Sequence, residues 1–255
     1  MIKVTGNRVF LLDIEGTTTS LSFVKDILFP YAEDNLESHV ISNWTSEQLR
    51  EDIELIRQQS VDDFNDGLIG KPLTGSVDDK EPRLFRRELV NYVRGLISAD
   101  RKCTALKQLQ GHIWKNGFES GTIKGHVFDD VPKALESWKN DHQCDIYIYS
   151  SGSIEAQKLH FGHSVHGNLL PLISGHFDTT TGPKQESSSY TKIANVINRQ
   201  PDDFLFLTDV PKEAVAAQAA GFTSIIVYRP GNVEVDSDTT LRFPSIESFD
   251  EIKFV

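Results

Sequence analysis

Val9-Phe10-Leu11-Leu12-Asp13-Ile14-Glu15-Gly16-Thr17 is the stretch on which the fold turns. Its four leading residues are apolar and β-prone, and a run this short and continuous reads as a strand buried on both faces of a parallel sheet. Gly16 then breaks the strand, and Thr17 to Ser20 are polar. Asp13 and Glu15 therefore stand at the carboxyl end of a strand, the edge where open α/β sheets bind their ligands. A carboxylate placed there acts as a nucleophile or holds a metal. Acid pairs with this spacing also arise by chance in an acidic chain, as at Asp52-Ile53-Glu54 and Asp236-Ser237-Asp238. Asp13 alone reads equally well as a strand-end cap. What sets the pair at 13 and 15 apart is the apolar run before it and the Gly-Thr after it.

Outward from this strand the periodicity changes twice. From about Ser22 to Trp114 the apolar spacing is helical. Val24, Ile27, Leu28 and Tyr31 form a first stripe and Leu49, Ile53 and Ile56 a second. Phe85, Leu89, Tyr92 and Leu96 form a third, and Leu106, Leu109 and Ile113 a fourth. Gly67 to Pro82, rich in Gly, Pro, Asp and Lys, reads as a loop. After Gly117, strands expected at Ile146–Tyr149, Phe204–Thr208 and Ser224–Tyr228 alternate with helical segments such as Ile193–Ile197 and Ala214–Ala220. Alternation of this kind implies a Rossmann-like parallel sheet built from right-handed crossovers. The expected organisation is an α/β core of residues 1–20 and 118–255, with a helical module, 21–117, inserted after the first strand.

The bulk composition narrows the function. A chain of 255 residues has material for one large domain or a core with a smaller unit. Lys and Arg number 26 against 37 Asp and Glu, a net charge of −11, which argues against nucleic acid or an anionic membrane as partner. An anionic substrate would need local attraction from a metal, a lysine or a helix N-terminus. Cys103 and Cys144 lack paired spacing and read as reduced thiols. The eight histidines show no metal-ligand spacing, including His160, His163 and His166, which recur at helical intervals. The N-terminal residues lack a signal-peptide core and no apolar run is long enough to span a bilayer, so the cytoplasm is the expected compartment. No basic cluster argues for the nucleus.

The other strand ends complete a pattern. Ser150 and Ser151 follow one expected strand and Asp209 follows another; Lys184 lies in the loop Thr181-Gly182-Pro183-Lys184 just before a helix near Glu186. A parallel sheet brings strand ends of this kind to one rim. Each has an ordinary reading: Asp209 as a cap for the helix at Pro211, the serines as an N-cap cluster, Lys184 as a solvated surface residue. Their order along the chain favours chemistry. Hydrolysis of a phosphate monoester needs about 20 kcal/mol of barrier lowering, an in-line nucleophile and cancelled charge on the phosphoryl oxygens. Asp13 and Asp209 supply carboxylates for one Mg²⁺, which would screen a carboxylate nucleophile from a phosphate dianion. Lys184 adds positive charge, Ser150 or Ser151 a hydroxyl and N–H, and Glu15 is placed to exchange a proton with the leaving oxygen and with water.

In this order the motifs resemble those of the haloacid dehalogenase superfamily of aspartate-nucleophile phosphatases. Asp13-Ile14-Glu15-Gly16-Thr17 is similar to its first motif, the strand ending at Ser150 to its second, Lys184 to its third and Leu207-Thr208-Asp209 to its fourth. The helical insertion resembles the family's cap, and the likeness covers the whole chain. Most such phosphatases carry Asp two residues after the nucleophile, where this chain has Glu15. That departure resembles the enolase-phosphatase family of methionine salvage, the acireductone synthases. Ile69-Gly70-Lys71-Pro72-Leu73, Ile148-Tyr149-Ser150-Ser151-Gly152-Ser153, Gly175-His176-Phe177-Asp178-Thr179 and Leu207-Thr208-Asp209-Val210 support the closer match.

The resemblance implies a Mg²⁺ site of Asp13, Glu15 (by its backbone carbonyl) and Asp209, catalysis by Asp13 and Glu15, and substrate contacts from Ser150, Ser151 and Lys184. It implies a monomer that enolises and then dephosphorylates 2,3-diketo-5-methylthiopentyl-1-phosphate. The cap would close over the methylthio end and exclude water, with Phe23 and Val24 near its hinge. The extra methylene of Glu15 would suit a group serving both proton transfer on carbon and phosphoryl transfer. Two other readings share the same residue types: another phosphatase, mutase or dehalogenase of the superfamily, and a phospho-acceptor signalling module. The module would carry its acceptor on a later strand and no hundred-residue helical insertion.

Overall fold

The computed structural model describes residues 1–79, 82–233 and 241–255. Residues 80 and 81 of the loop expected from Gly67 to Pro82, and the look-alike acid pair Asp236-Ser237-Asp238, lie outside the described residues. The chain forms two compact units, one of Met1–Asp26 with Phe118–Val255 and the other of Ile27–Gly117.

In the first unit the strands are β1 (Ile2–Val4), β2 (Val9–Leu12), β3 (Asp145–Tyr149), β4 (Gly175–Phe177), β5 (Phe204–Thr208), β6 (Thr223–Val227), β7 (Ser245–Ile246) and β8 (Ile252–Phe254). Among the described residues, six of them form one sheet in the order β4-β3-β2-β5-β6-β7, parallel throughout. β1 and β8 pair in a separate parallel ribbon. β2 is central: Leu12 lies opposite Ile148 of β3 on one side and Leu207 of β5 on the other. The chain runs outward from β2 through β3 and β4, then returns to β5 on the opposite flank. The reversal leaves a crevice at the carboxyl end of β2.

Alternate residues of each strand face opposite sides of the sheet. Phe10, Leu12, Ile146, Ile148, Leu205 and Leu207 pack with Val131, Leu135 and Trp138 on one face. Val9, Leu11, Phe204 and Phe206 pack with Tyr190, Ile193, Ala216 and Ala217 on the other. All four residues of β2 are wholly buried, each fully buried aliphatic or aromatic side chain contributing about 1.5–3 kcal/mol. This is why the strand reads as a continuous apolar run. β3 and β6 each begin one residue before the apolar spacing suggests, at Asp145 and Thr223, and β6 ends at Val227. β1, β4, β7 and β8 are two or three residues long, too short to leave a periodic signal.

The second unit is helical, with α1 (Phe29–Ser42), α2 (Glu47–Asn65), α3 (Pro82–Ser98) and α4 (Thr104–Glu119). Leu49, Ile53, Ile56, Phe85, Leu89, Leu96, Leu106, Leu109 and Ile113 form its core, as their spacing predicts. The first stripe is a correction: of Val24, Ile27, Leu28 and Tyr31 only Leu28 is buried, and Ile27 is exposed. Residues Val24–Leu28 form a π-helical turn, whose i→i+5 bonding adds a residue to the turn and shifts the phase of the buried face. The face resumes at Ala32, Leu36 and Val40. The acid pair at 52 and 54 proves to be structural. Asp52 is wholly buried, with Gln108 Nε2 2.9 Å and His112 Nδ1 2.7 Å from its two oxygens. No helix among the described residues is long and apolar enough to cross a membrane.

Four longer helices among the described residues belong to the sheet unit, besides short turns such as Leu21–Phe23: α5 (Asp130–Asn140), α6 (Ile154–Gly162), α7 (Ser187–Ile197) and α8 (Pro211–Ala219). Each follows a strand end or loop on the rim that carries Asp13.

Candidate active site

Past Leu12 the chain stays in line with β5, since Asp13 N–H donates to Leu207 O at 3.0 Å. It then curls tightly. Ile14 O accepts from the N–H groups of Thr17, Thr18 and Thr19 at 3.2, 2.9 and 2.9 Å, and Gly16 adopts φ +71°. A Cβ on Gly16 would collide with Asp209 Oδ2. Left-handed backbone and the close carboxylate together demand glycine. Gly16→Ala should lose about 1–2 kcal/mol to backbone strain and also displace Asp209. Phosphate release should fall by more than the drop in melting temperature explains; proportionate losses would argue against this geometry.

Lys184 is not a solvated lysine; it is only 9% exposed. Three side-chain hydroxyls hold its loop by successive carbonyls: Tyr149 OH donates to Gly182 O at 2.8 Å, Ser189 Oγ to Pro183 O at 2.8 Å and Tyr190 OH to Lys184 O at 2.7 Å. The ammonium then lies 2.7 Å from Asp13 Oδ1 and 2.7 Å from Glu213 Oε2. Burial alone would lower its pKa, but Asp13 and Glu213 raise it, so the charge is kept.

The carboxylates outnumber this cation. Asp13, Asp209 and Glu213 against Lys184 leave two negative charges uncompensated in a buried cluster, an arrangement that is costly without a counter-charge. The same crowding acts on the carboxyls. Burial and then the neighbouring Asp13 push Asp209 up to about 7, and the same two causes raise Glu213 despite Lys184. A divalent cation would cancel the excess. Among the described residues no three His, Cys, Asp or Glu side chains could hold a metal by themselves. One or two carboxylates completed by carbonyl, phosphate and water oxygens is the set Mg²⁺ prefers.

The other expected residues divide. Ser151 is exposed and shares a cavity of about 400 Å³ with Thr179, Pro183, Lys184, Gln185, Glu186 and Glu213. Ser150 is buried; its N–H donates to Phe177 O at 3.2 Å and its Oγ accepts from Gly152 N–H at 3.3 Å. The helix-capping role falls to Ser153, which accepts from Ala156 N–H at 3.2 Å. Asp209 does not cap α8, whose N-cap residue is Val210. Glu15 is half-buried and pairs through its backbone with Thr19. Phe23 is buried, its ring centroid 5.5 Å from that of His160.

Glu213 and Thr208 were not among the expected residues. Thr208 Oγ1 lies 3.0 Å from Glu213 Oε2 and 3.4 Å from Asp13 Oδ2. The signal for Glu213 was its place four residues after Asp209, one turn into α8.

Comparison with known proteins bears on the family of the chain. Residues 7–221 match the family model of the haloacid dehalogenase-like hydrolases. The chain is 46% identical over 250 residues to enolase-phosphatase E1 of Danio rerio, covering 97% of this chain and 95% of that one. It is 49% identical over 244 residues to a probable bifunctional methylthioribulose-1-phosphate dehydratase/enolase-phosphatase E1 of Oryza sativa, 95% of this chain but only 46% of that longer one. The crystal structure of the UTR4 protein of Saccharomyces cerevisiae superimposes with a TM-score of 0.73 at 31% identity, covering 96% of this chain and 99% of that one. The chain is a haloacid dehalogenase-like hydrolase and belongs to the enolase-phosphatase E1 family.

Proposed function

We propose that this phosphatase converts 2,3-diketo-5-methylthiopentyl-1-phosphate to 1,2-dihydroxy-3-keto-5-methylthiopentene, by enolisation and then dephosphorylation, as a step of methionine salvage. The observation that carries the chemistry is Lys184 buried between Asp13 and Glu213 at the carboxyl rim of a parallel sheet; family membership supports the substrate.

Asp13 is the nucleophile in this reading, and its two oxygens are unequal. Oδ1 is committed to Ile14 N–H at 2.7 Å and to Lys184. Oδ2 faces Thr208 Oγ1, but that hydroxyl has one proton and Glu213 lies nearer. Oδ2 thus keeps lone pairs for phosphorus. Its attack forms an acyl phosphate and breaks the bond from phosphorus to the substrate's terminal oxygen, which takes a proton from Glu15. Water then attacks the acyl phosphate, Glu15 takes its proton, and the P–O bond to Asp13 breaks to free phosphate. Lys184 and Ser151 contact the phosphoryl group, with Ser150 behind them shaping the loop. Asp13, Asp209 and the Glu15 carbonyl would hold Mg²⁺, which shields the nucleophile from the incoming dianion.

The helical residues 21–117 act as the cap in this reading, supported by the independent core of the unit Ile27–Gly117. The cytoplasm is the proposed compartment, supported by the free thiols Cys103 and Cys144; the proposed monomer is supported by the family resemblance.

The test is to supply the diketo phosphate and follow enediol absorbance alongside phosphate release. Both should appear, and both should stop on chelation of Mg²⁺. Enediol without phosphate, or neither product, would overturn the assignment. Glu15→Asp should spare hydrolysis of a generic monoester more than enolisation, and equal loss of the two would contradict a dual role for this carboxyl.

A further inference from the structure

We propose that Arg229 and Asn232, in the loop after β6, are positioning residues that set the backbone carbonyls of the Asp13 loop for the cation. The inference rests on the active-site reading above and adds two residues outside its motifs. Arg229 is 7% exposed, and its Nε–H donates to Thr17 O at 2.9 Å. Asn232 Nδ2 donates to Gly16 O at 2.8 Å and to Val227 O at 3.3 Å. Two consecutive carbonyls of the Asp13 loop are thus gripped from one short loop, Arg229-Pro230-Gly231-Asn232.

Each grip is itself held. Arg229 Nη1 donates to Asp130 Oδ1 at 3.1 Å and to Glu247 O at 3.0 Å, and Nη2 lies 2.9 Å from Asp130 Oδ2. The guanidinium carbon sits 4.4 Å from the ring centroid of Phe128 and 5.0 Å from that of Phe249. Asp130 Oδ2 in turn accepts from Phe249 N–H at 2.6 Å and from Ser248 Oγ at 3.1 Å. An arginine held between two aromatic rings, a carboxylate that pairs with it and a backbone carbonyl has one orientation. Two carbonyl partners fix the orientation of the Asn232 amide, because only its nitrogen can donate. The cost of this orientation is an orphan: Asn232 Oδ1 is buried with no hydrogen-bond partner among the described residues.

What the donating end of the amide does follows from the geometry of Gly16. Its Cα is packed against the Asp209 carboxylate, while Asn232 holds its carbonyl. The peptide between Glu15 and Gly16, whose carbonyl is the proposed cation ligand, is held at its N–H by Thr19 O at 2.8 Å, and the next peptide is held at Gly16 O by the 229–232 loop. Releasing Gly16 O frees the Gly16–Thr17 peptide to rotate and, through the shared Gly16 Cα, lets the Glu15 carbonyl shift, loosening the cation site while leaving the phosphate contacts of Lys184 in place.

The experiment measures Mg²⁺ affinity by calorimetry and by the Mg²⁺-induced rise in melting temperature, together with KM and kcat, in Asn232→Ala, Arg229→Lys and, as control, Asp209→Asn. Loss of an outer partner of a metal ligand typically weakens affinity about 10- to 100-fold. Asn232→Ala should fall in that range, with KM for the phosphate ester within about twofold and kcat largely recovered at high Mg²⁺. Arg229→Lys, which keeps charge but not the fork, should do the same more weakly. If either folded variant melts earlier yet binds Mg²⁺ as tightly as the parent, the proposal is overturned. If Asp209→Asn also leaves Mg²⁺ affinity unchanged, the active-site reading falls instead.

Discussion

Asp13→Asn should release phosphate about 10⁵-fold more slowly than the parent, on the scale of other nucleophile deletions, without loss of fold. The amide keeps the shape of the carboxyl but gives up the charge needed to attack phosphorus. Stability gives the discriminating sign. Asp13 raises the pKa of both Asp209 and Glu213, so the cluster holds its charges at a cost. Removing one negative charge leaves Lys184 paired with Glu213 at 2.7 Å and one fewer uncompensated carboxylate. The melting temperature in chelator should hold or rise. Rapid acid quench of the parent during turnover should trap phosphate on the protein, and the variant should trap none. Retained turnover, or a collapse in stability matching the loss of activity, would show that Asp13 is a structural prop and not the nucleophile.

Lys184→Met has the second largest expected effect, on stability as well as on rate. The ammonium is buried between two carboxylates, and breaking such a pair from one side costs about 3–5 kcal/mol because the partner charges stay buried. The pH dependence has a definite sign. Asp209 and Glu213 have folded pKa values above their unfolded ones. Stability held by their protonated forms is complete below the unfolded values and is lost as pH rises through the folded values, near 7 for Asp209. Lys184 lowers both, so its removal moves that loss to higher pH and deepens it. Urea unfolding in chelator should show a deficit against the parent that is large near about pH 8 and small near about pH 5.5. A deficit independent of pH would mean that packing of the lysine stem, not charge, holds the site.

Gly16→Ala tests a different kind of cause. There the expected loss comes from backbone and space rather than charge, which is why stability and activity should part company.

The central strand, the alternation that makes the sheet parallel, and the order Asp13, Ser150, Lys184, Asp209 were legible because each rests on local residues. An unbroken apolar run announces burial on both faces, and a strand end places its next residue on the rim. The amphipathic stripes at 49–56, 85–96 and 106–113 were legible for the same reason. The stripe at 24–31 was not, because a π-helical turn changes the period on which such a reading depends. Four short strands left no mark because two or three residues carry no periodicity.

Chemistry followed a similar division. The sequence by itself determined which groups reach the rim, since that depends on strand and loop order alone. Whether a given lysine is solvated or buried depends on hydroxyls from Tyr149, Ser189 and Tyr190 closing on three carbonyls, residues scattered along the chain. The partnership of Glu213 with Lys184, the pressure of Asp209 on Gly16, and the grip of Arg229 and Asn232 on the Asp13 loop were decided only by tertiary structure. They are contacts between segments distant in sequence, and their strength comes from desolvation, a property of the packed molecule that no residue carries alone.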